Sequence, residues 1–422
     1  MNRHSREKST FAPRALVCGG GIAGNTAALQ LLRARIPTTV VERTAAPRPG
    51  GQAVDLRGPA GDVATRMGLM PAIRAHQLDE RGMIFVDAAG RELNRMPADL
   101  FGGEGIVAEI EITRGDLNQV LLDAIAGAGG DLEYRYGDWV SELHQDADGV
   151  DVTFASGVRE RFSLVIGADG LHSSLRRLVF GADSQFLKYL GGYMSFFTMP
   201  TPASKHNRLE WFVTHQVAGG SFVGIRSDVD PTTSKAVVIL RMPPDPALER
   251  SPTQQKQLIR KRLSAGGWEI PAILNAMEIA DDFYFDELAR VTMPTWSERR
   301  IVLLGDAAFC GSPLTGQGTS VAMIGAYVLA GEIAATPTHP AQAISRYETL
   351  VRPLIAKAQE LMPGGVRALT PGSAVEMAIS RLINRAVTSR PMRPLMTRLV
   401  STTVTYRVPD YEPASSAPIG LV

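Results

Sequence analysis

The chain has 422 residues, with 44 Lys and Arg against 43 Asp and Glu, a formal net charge of +1. At roughly 150 residues per domain that length predicts two or three packed units, and the charge balance excludes a nucleic-acid-coating protein and an acidic tail. With 45% hydrophobic and 21% charged residues the chain has the composition of a folded protein, and its two cysteines, Cys18 and Cys310, exclude a disulfide framework, a Cys-rich zinc site and a Cys-x-x-Cys redox pair. That cysteine usage fits a cytoplasmic protein. The N-terminal MNRHSREKST is polar and reads as a frayed tail, not as a signal peptide.

In chain order, the apolar run from Ala15 to Cys18 reads as a buried parallel strand ending in Gly19, Gly20 and Gly21. A helix from Ile22 to Arg35 follows, stopped by Pro37, and Thr38 to Val41 is a β-branched strand closing on Glu42. Asp62 to Ala75 reads as a helix, Gly82 to Met96 as a hairpin around Asp87 and Gly90, and Leu117 to Ala126 as another helix. Strands are expected at Leu132 to Tyr136, Val140 to His144, Val150 to Phe154 and Phe162 to Ile166. Between about Gly181 and Met293 the runs Tyr193 to Met199, Leu209 to Val213, Ser221 to Ile225 and Ala236 to Met242 predict a largely antiparallel sheet, because their connections are too short for helical crossovers. Ile301 to Leu304 is again an apolar strand, and the pattern from there to about Val400 is helical.

The Gly19-x-Gly21-x-x-Gly24 spacing sits between a strand and a helix, the context a dinucleotide fingerprint requires. The first glycine permits the tight turn, the second lets amides approach a pyrophosphate, and the third lets helix and strand pack closely. Glu42 ends the next strand, where its carboxylate can accept an adenosine ribose's hydroxyls and would repel a 2′-phosphate. This site should therefore hold FAD or NAD, not NADP, and Arg43 beside it is placed among the cofactor-binding residues.

Two further turns select FAD: Gly167-Ala-Asp169-Gly170-Leu-His-Ser173-Ser-Leu-Arg176, and Gly305-Asp306-Ala307-Ala308 running into Pro313-Leu-Thr-Gly316-Gln317-Gly318. With them the chain resembles the group A flavoprotein monooxygenases, the aromatic-hydroxylase fold, over nearly its whole length. Asp306 is expected near the pyrophosphate and ribityl chain. Gly316 and Gly318 are expected to let amides approach the isoalloxazine at a helix start whose positive end stabilises reduced flavin. By the same resemblance Arg114 matches the family arginine that reaches toward the phosphate and ribityl region. Arg48-Pro-Gly-Gly51-Gln-Ala-Val-Asp55 looks like a segment of the tetracycline-inactivating monooxygenases, which makes Arg48 and Asp55 cofactor-side candidates. The chain departs from the pattern where Phe309 replaces the usual histidine and Thr319 an asparagine, and its sheet shows no convincing match to the tetracycline-holding residues.

The resemblance implies an α/β fold: a Rossmann-like FAD-binding domain, an inserted antiparallel sheet for substrate, and C-terminal helices. The expected division is 1–80, 97–180 and 294–340 for the cofactor, 81–96 and 181–293 for substrate, 341–400 for the helices, and 401–422 as a tail. It implies reduction of FAD by transient NADPH or NADH, capture of O2 as a flavin hydroperoxide, and oxygen transfer to an aromatic, polyketide or polycyclic small molecule. Tetracycline-type antibiotics are one alternative substrate; an enzyme of the same fold without oxygen insertion, such as a dehydrogenase or cyclase, and a non-catalytic flavin sensor are others. The flavin carries that chemistry, so no protein nucleophile is expected.

Seven scattered histidines lack metal-ligand spacing, and no metal, nucleic-acid partner or transmembrane segment is expected in a monomer or small homo-oligomer. The uncharged Ala307 to Gly331 stretch is long enough to span a bilayer, but its glycines and Pro313 would strand backbone groups in lipid; a cofactor loop and a buried helix explain it better. His215, Arg226 and Tyr193 lie on predicted strands and each has about an even chance of facing substrate. Trp268 is read as an ordinary helix-flanking residue. Ser373 to Val400 is basic and amphipathic, and is expected to pack its apolar side across the two domains.

Overall fold

In a computed structural model the described residues are 14–48, 50–98, 110–249, 251–361, 363–388 and 406–411. The apolar run Ala15–Cys18 is buried at every position because it is the inner strand of a six-stranded sheet. Its order is Ser297–Glu298, Ile301–Leu303, Leu164–Gly167, Ala15–Cys18, Thr38–Glu42, Leu132–Tyr136, all parallel except the terminal 297–303 hairpin. A parallel sheet needs both faces covered, and the helices Ile22–Arg33, Arg114–Ala128 and Gly318–Ala335 supply cover.

A seven-stranded sheet is contributed by 82–97 and 187–291, in the order Tyr284–Val291, Leu187–Pro200, Thr233–Arg241, Ser221–Ser227, Phe212–Val217, Gly82–Val86, Glu92–Pro97. Its pairings are antiparallel except between Phe212–Val217 and Gly82–Val86. Alternation divides its side chains. One face packs Phe197, Val223, Ile225 and Val238 against the helices Pro252–Leu263 and Ile270–Ile279. The other gathers Met83, Phe85, Met194, Phe196, Phe212 and Phe222 against Leu314 of the loop that follows Asp306. The architecture is the α/β fold expected, with its inserted sheet and C-terminal helices Pro340–Ala358, Gly365–Leu369 and Ala374–Thr388.

Several elements differ from expectation for local reasons. The segment 62–75 forms two short helices, Pro59–Arg66 and Met70–Ala75, because Gly68 at φ 67° and Pro71 interrupt it. Phe162 to Ile166 is split between Arg159–Phe162, in a separate three-stranded sheet, and Leu164–Gly167. The inserted region also contains the helix pair that covers its outer face, which the short-connection argument did not anticipate. In the last helix Val375, Ile379, Leu382 and Ile383 are 68, 52, 69 and 54% exposed, so this part of the basic segment does not bury its apolar side; Arg390, Arg393, Leu395, Arg398 and Leu399 lie outside the described residues. Gly318–Ala335 is long and apolar enough to cross a membrane, yet most of it is buried against neighbouring helices.

Arg176 joins the pieces. It is 0% exposed and donates to Ala307 O at 2.9 Å, Leu171 O at 2.6 Å and Asp183 Oδ1 at 2.6 and 3.1 Å. Removing the guanidinium strands the Leu171 and Ala307 carbonyls, although Asp183 keeps Arg177 at 2.7 Å, so Arg176→Ala is expected to cost roughly 2–4 kcal/mol in a urea-unfolding measurement. A loss under ~1 kcal/mol would show that the guanidinium is not a structural bolt.

Candidate functional site

The first turn is built by close backbone approach. Gly19 has φ 109°, and a Cβ there would lie 2.4 Å from Ala168 O; at Gly24 it would lie 1.9 Å from Gly19 O. Those two glycines are required by the protein itself. Gly21 differs: its φ is −85°, which any residue adopts, and the nearest atom to an added Cβ is Arg114 Nη2 at 3.7 Å. The bare side of Gly21 therefore faces the open cleft. Asn25 fixes the turn by donating to Gly20 O at 2.9 Å and to Asn118 Oδ1 at 2.9 Å, and Tyr134 donates to Asn25 Oδ1 at 3.1 Å.

Glu42 stands at the end of its strand. One oxygen accepts from the Gly20 amide at 2.7 Å, the other from the Thr44 amide and hydroxyl at 2.9 and 3.0 Å. Burial pushes the carboxyl up, but these donors and the charge of Arg48 outweigh it and hold the group below the usual glutamate range. Arg48 is exposed. Arg43 turns to Ser174 Oγ at 2.7 Å, with its guanidinium 5.4 Å from the Trp139 ring centroid.

The other turns arrive beside this one. Asp169 abuts Gly19, but its carboxylate serves its own loop, accepting from Ser173 Oγ at 2.5 Å and the Leu175 amide at 3.1 Å. Asp306 follows Gly305, whose φ of 64° brings it against Ala23 of the fingerprint helix. The Asp306 side chain opens on the cleft while protein crowds it; lost hydration lifts its carboxyl above the ordinary aspartate value, and Arg114 pulls the other way. Gly318 starts the long buried helix, and a Cβ there would lie 4.0 Å from Asp306 Oδ1. Gly316 has φ 62°, and Asp55 Oδ2 sits 3.2 Å from where its Cβ would be. Gly19, Gly21, Glu42, Arg114, Asp306, Gly316, Gly318 and Asp55 are thus brought together around one cleft, with Gly24 and Asp169 packed behind it. Among the described residues no cluster could hold a metal ion.

Asp55 begins a buried polar cluster that sequence spacing could not reveal. It pairs with Arg57 at 2.6 Å, and its short strand pairs with Glu111–Thr113. Glu111 accepts from Arg226 at 2.8 Å, and Arg226 also binds Glu80. Burial pushes the Glu111 carboxyl well up, reinforced by Glu80 and Asp55 and opposed by Arg226. Arg226 accordingly lies on the Met/Phe-rich face, in register with Phe222. His215 lies on the other face, 4% exposed, with its ring nitrogens 3.0 Å from Val86 O and 2.9 Å from Gly266 O; Tyr193 is also turned away, and its hydroxyl accepts from the Asp245 amide at 2.8 Å. Trp268 flanks the helix Ile270–Ile279, as expected.

With this geometry in place, comparison with known proteins gives the family. Residues 13–360 match the model described as FAD binding domain. A flavin-dependent monooxygenase of an unknown prokaryotic organism is 39% identical over 342 residues, 81% of this chain and 86% of the relative. A flavin-dependent monooxygenase of Legionella longbeachae serogroup 1 (strain NSW150) is 37% identical over 344 residues, 81% of this chain and 86% of its own length. The crystal structure of the tetracycline destructase Tet(51) is similar with a TM-score of 0.75 and 31% identity, covering 95% of this chain and all of that one. The chain belongs to the FAD-binding-domain family and, within it, to the flavin-dependent monooxygenases.

The contrast between two glycines tests the cleft. Gly24→Ala is expected to unfold the turn, visible as lost thermal stability, whereas Gly21→Ala should fold like the wild type and bind FAD at least ~10-fold more weakly by equilibrium titration. For Glu42, the folded pKa lies below the unfolded one, so its stabilisation is complete above the unfolded value of about 4.3 and is lost as pH falls through the folded value. The stability gap between wild type and Glu42→Gln should therefore shrink on acidification below about pH 4.3 in chemical denaturation. A pH-independent gap would contradict the assignment.

Proposed function

We propose that the protein is an NAD(P)H-dependent FAD monooxygenase that hydroxylates an aromatic, polyketide or polycyclic small molecule, tetracyclines being one such class. The observation that carries this reading is the apposition of the three-turn cleft and the Met/Phe-rich sheet face, joined at Leu314 of the 313–318 loop. FAD fits the residues present. The open side of Gly21 and the start of Ile22–Arg33 would take the pyrophosphate, with Arg114 over it. Glu42 would accept from the adenosine ribose through Oε2, which keeps a lone pair after binding Gly20, while Oε1 is filled by the Thr44 amide and hydroxyl. Asp306 would face the ribityl chain, and Gly316 and Gly318 the ring edge.

When bound and reduced by the nicotinamide donor, FAD supplies oxygen activation and transfer; the protein orients the partners and excludes water. Phe85, Phe196 and Phe212, which keep 7–9% of their surface, would offer apolar contact to a planar substrate and Met194 would adapt to its outline, with Phe222 and Met83 packed behind them. The start of Gly318–Ala335 would bring positive backbone charge to the ring edge, where negative charge would gather on reduction. Arg48 and Arg43, both exposed near the adenosine side, would meet the incoming donor's phosphates. The buried, unpaired cysteines suit a reducing cytoplasm.

The test is NADPH and NADH oxidation under labelled dioxygen across aromatic and polyketide compounds, tetracyclines included. A true substrate should accelerate nicotinamide oxidation and carry one labelled oxygen in its product. Substrate conversion without label would identify a dehydrogenase or cyclase, and flavin that stays oxidised throughout would identify a sensor; either overturns the proposal.

A further inference from the structure

The edge strand Tyr284–Val291 carries a hydrogen-bonded chain that the cofactor argument does not use. Tyr284 is in register with Phe196, and Asp286 with Met194, so both side chains lie on the Met/Phe-rich face. The Tyr284 ring stacks on Phe196 with centroids 6.2 Å apart, and the residue keeps 42% of its surface exposed although its strand is sheet-bound. Its strand packs against the short helix Asp306–Phe309, which sets it on the cofactor side, and Arg114 and Asp306 are near enough to act on its phenol. Its hydroxyl lies 2.8 Å from Asp286 Oδ2. From the opposite side His172, in the loop that follows Asp169 and Gly170, brings Nε2 to 2.9 and 3.1 Å from the two Asp286 oxygens.

The direction of these bonds follows from chemistry. An ionised carboxylate only accepts, so the Tyr284 hydroxyl must donate to Asp286, and the oxygen keeps only lone pairs for the cleft. The Asp286 bond raises the His172 imidazole, burial opposes it, and the charges of Asp286, Glu287 and Asp183 add to the rise, so Nε2 carries the proton and donates to Asp286. Burial first, then the charge of Asp286, keeps the Tyr284 phenol protonated, with Arg114 opposing.

We propose that Tyr284, oriented by Asp286 and His172, is a specificity-determining residue that accepts a hydrogen bond from a hydroxyl on the substrate and discriminates against its ether. The inference rests on the proposed substrate class and names the group that class must carry. A site with a fixed acceptor gains from a hydroxyl partner, whereas a methoxy group offers no proton and leaves the tyrosine oxygen facing another acceptor. Asp286 and His172 act through Tyr284 and are positioning residues.

The experiment titrates the FAD-loaded protein with 1-naphthol and with 1-methoxynaphthalene, reading binding from the visible spectrum of the bound flavin without turnover. The wild type is expected to bind the naphthol at least ~10-fold more tightly. Tyr284→Phe should bring the two within ~2-fold, chiefly by weakening naphthol. Asp286→Asn should narrow or reverse the preference, because an amide can donate to the tyrosine oxygen and free its proton for an ether. Equal affinities in the wild type, a preference that survives Tyr284→Phe, or no response to naphthol at its solubility limit would each overturn the assignment. The titration consumes no oxygen, so its outcome is separate from the labelling test. A naphthol preference without labelled product sinks only the proposed reaction, and labelled product without the preference sinks only this assignment.

Discussion

A guanidinium with no access to water is tolerable only where its nitrogens are bonded, and all three nitrogens of Arg176 donate, tying together parts of the chain distant in sequence. Its bonds to Leu171 O and Ala307 O join the loop after Asp169 to the turn at Asp306, and Asp183 neutralises its charge. The loop after Asp169 is itself closed on that carboxylate through Ser173 and the Leu175 amide. The position of Asp306 over the cleft therefore depends on a residue that never faces it. The same loop carries His172 outward to Asp286, so one bolt sets both the cofactor side and the polar edge of the apolar face.

Glycine enters this construction in two physically different ways. Gly19 and Gly24 are filled from within: another backbone occupies the space a side chain would need. Gly21 and Gly318 have room for a methyl group in the protein alone, so folding does not require their lack of one. A requirement that folding does not impose is best referred to what approaches from outside, and both residues border the same cleft beside Arg114 and Asp306. The distinction separates packing from binding without any appeal to conservation.

The parallel sheet was legible because its strands are continuous apolar runs ending in glycine, a signal that burial on both faces makes nearly unambiguous. The fingerprint, Glu42 and the turns at Asp169 and Asp306 were legible from their places at strand ends, whereas Arg114 could be named only through the family resemblance. The inserted sheet was legible only as strands. Pattern alone gives Arg226, His215 and Tyr193 equal standing, and only the register with Phe222, Val223 and Phe197 shows that the arginine shares the cleft's side and the other two do not. The Asp55–Arg57–Glu111–Arg226–Glu80 cluster was invisible because its members lie up to 171 positions apart and meet only when the 53–55 and 111–113 strands pair under the sheet. Arg43 follows the last residue of the strand Thr38–Glu42, and its contacts with Ser174 and Trp139 were not legible from that adjacency.

Those buried charges show how the two sheets can share one site. An apolar face alone would pack a planar molecule in many orientations, since dispersion and area burial have little direction. Direction comes from polar groups whose bonding is already committed. On one flank Arg226 is held by two glutamates, and on the other Tyr284 is held by Asp286. Arg226 cannot turn to suit a ligand without abandoning two buried carboxylates, at a cost of about 1–3 kcal/mol for each stranded group, and Tyr284 cannot without giving up its bond to Asp286. A molecule of the proposed class resting on Phe196 and Phe212 would therefore be aligned by groups that do not adapt to it, as oxygen transfer to a single ring position would require.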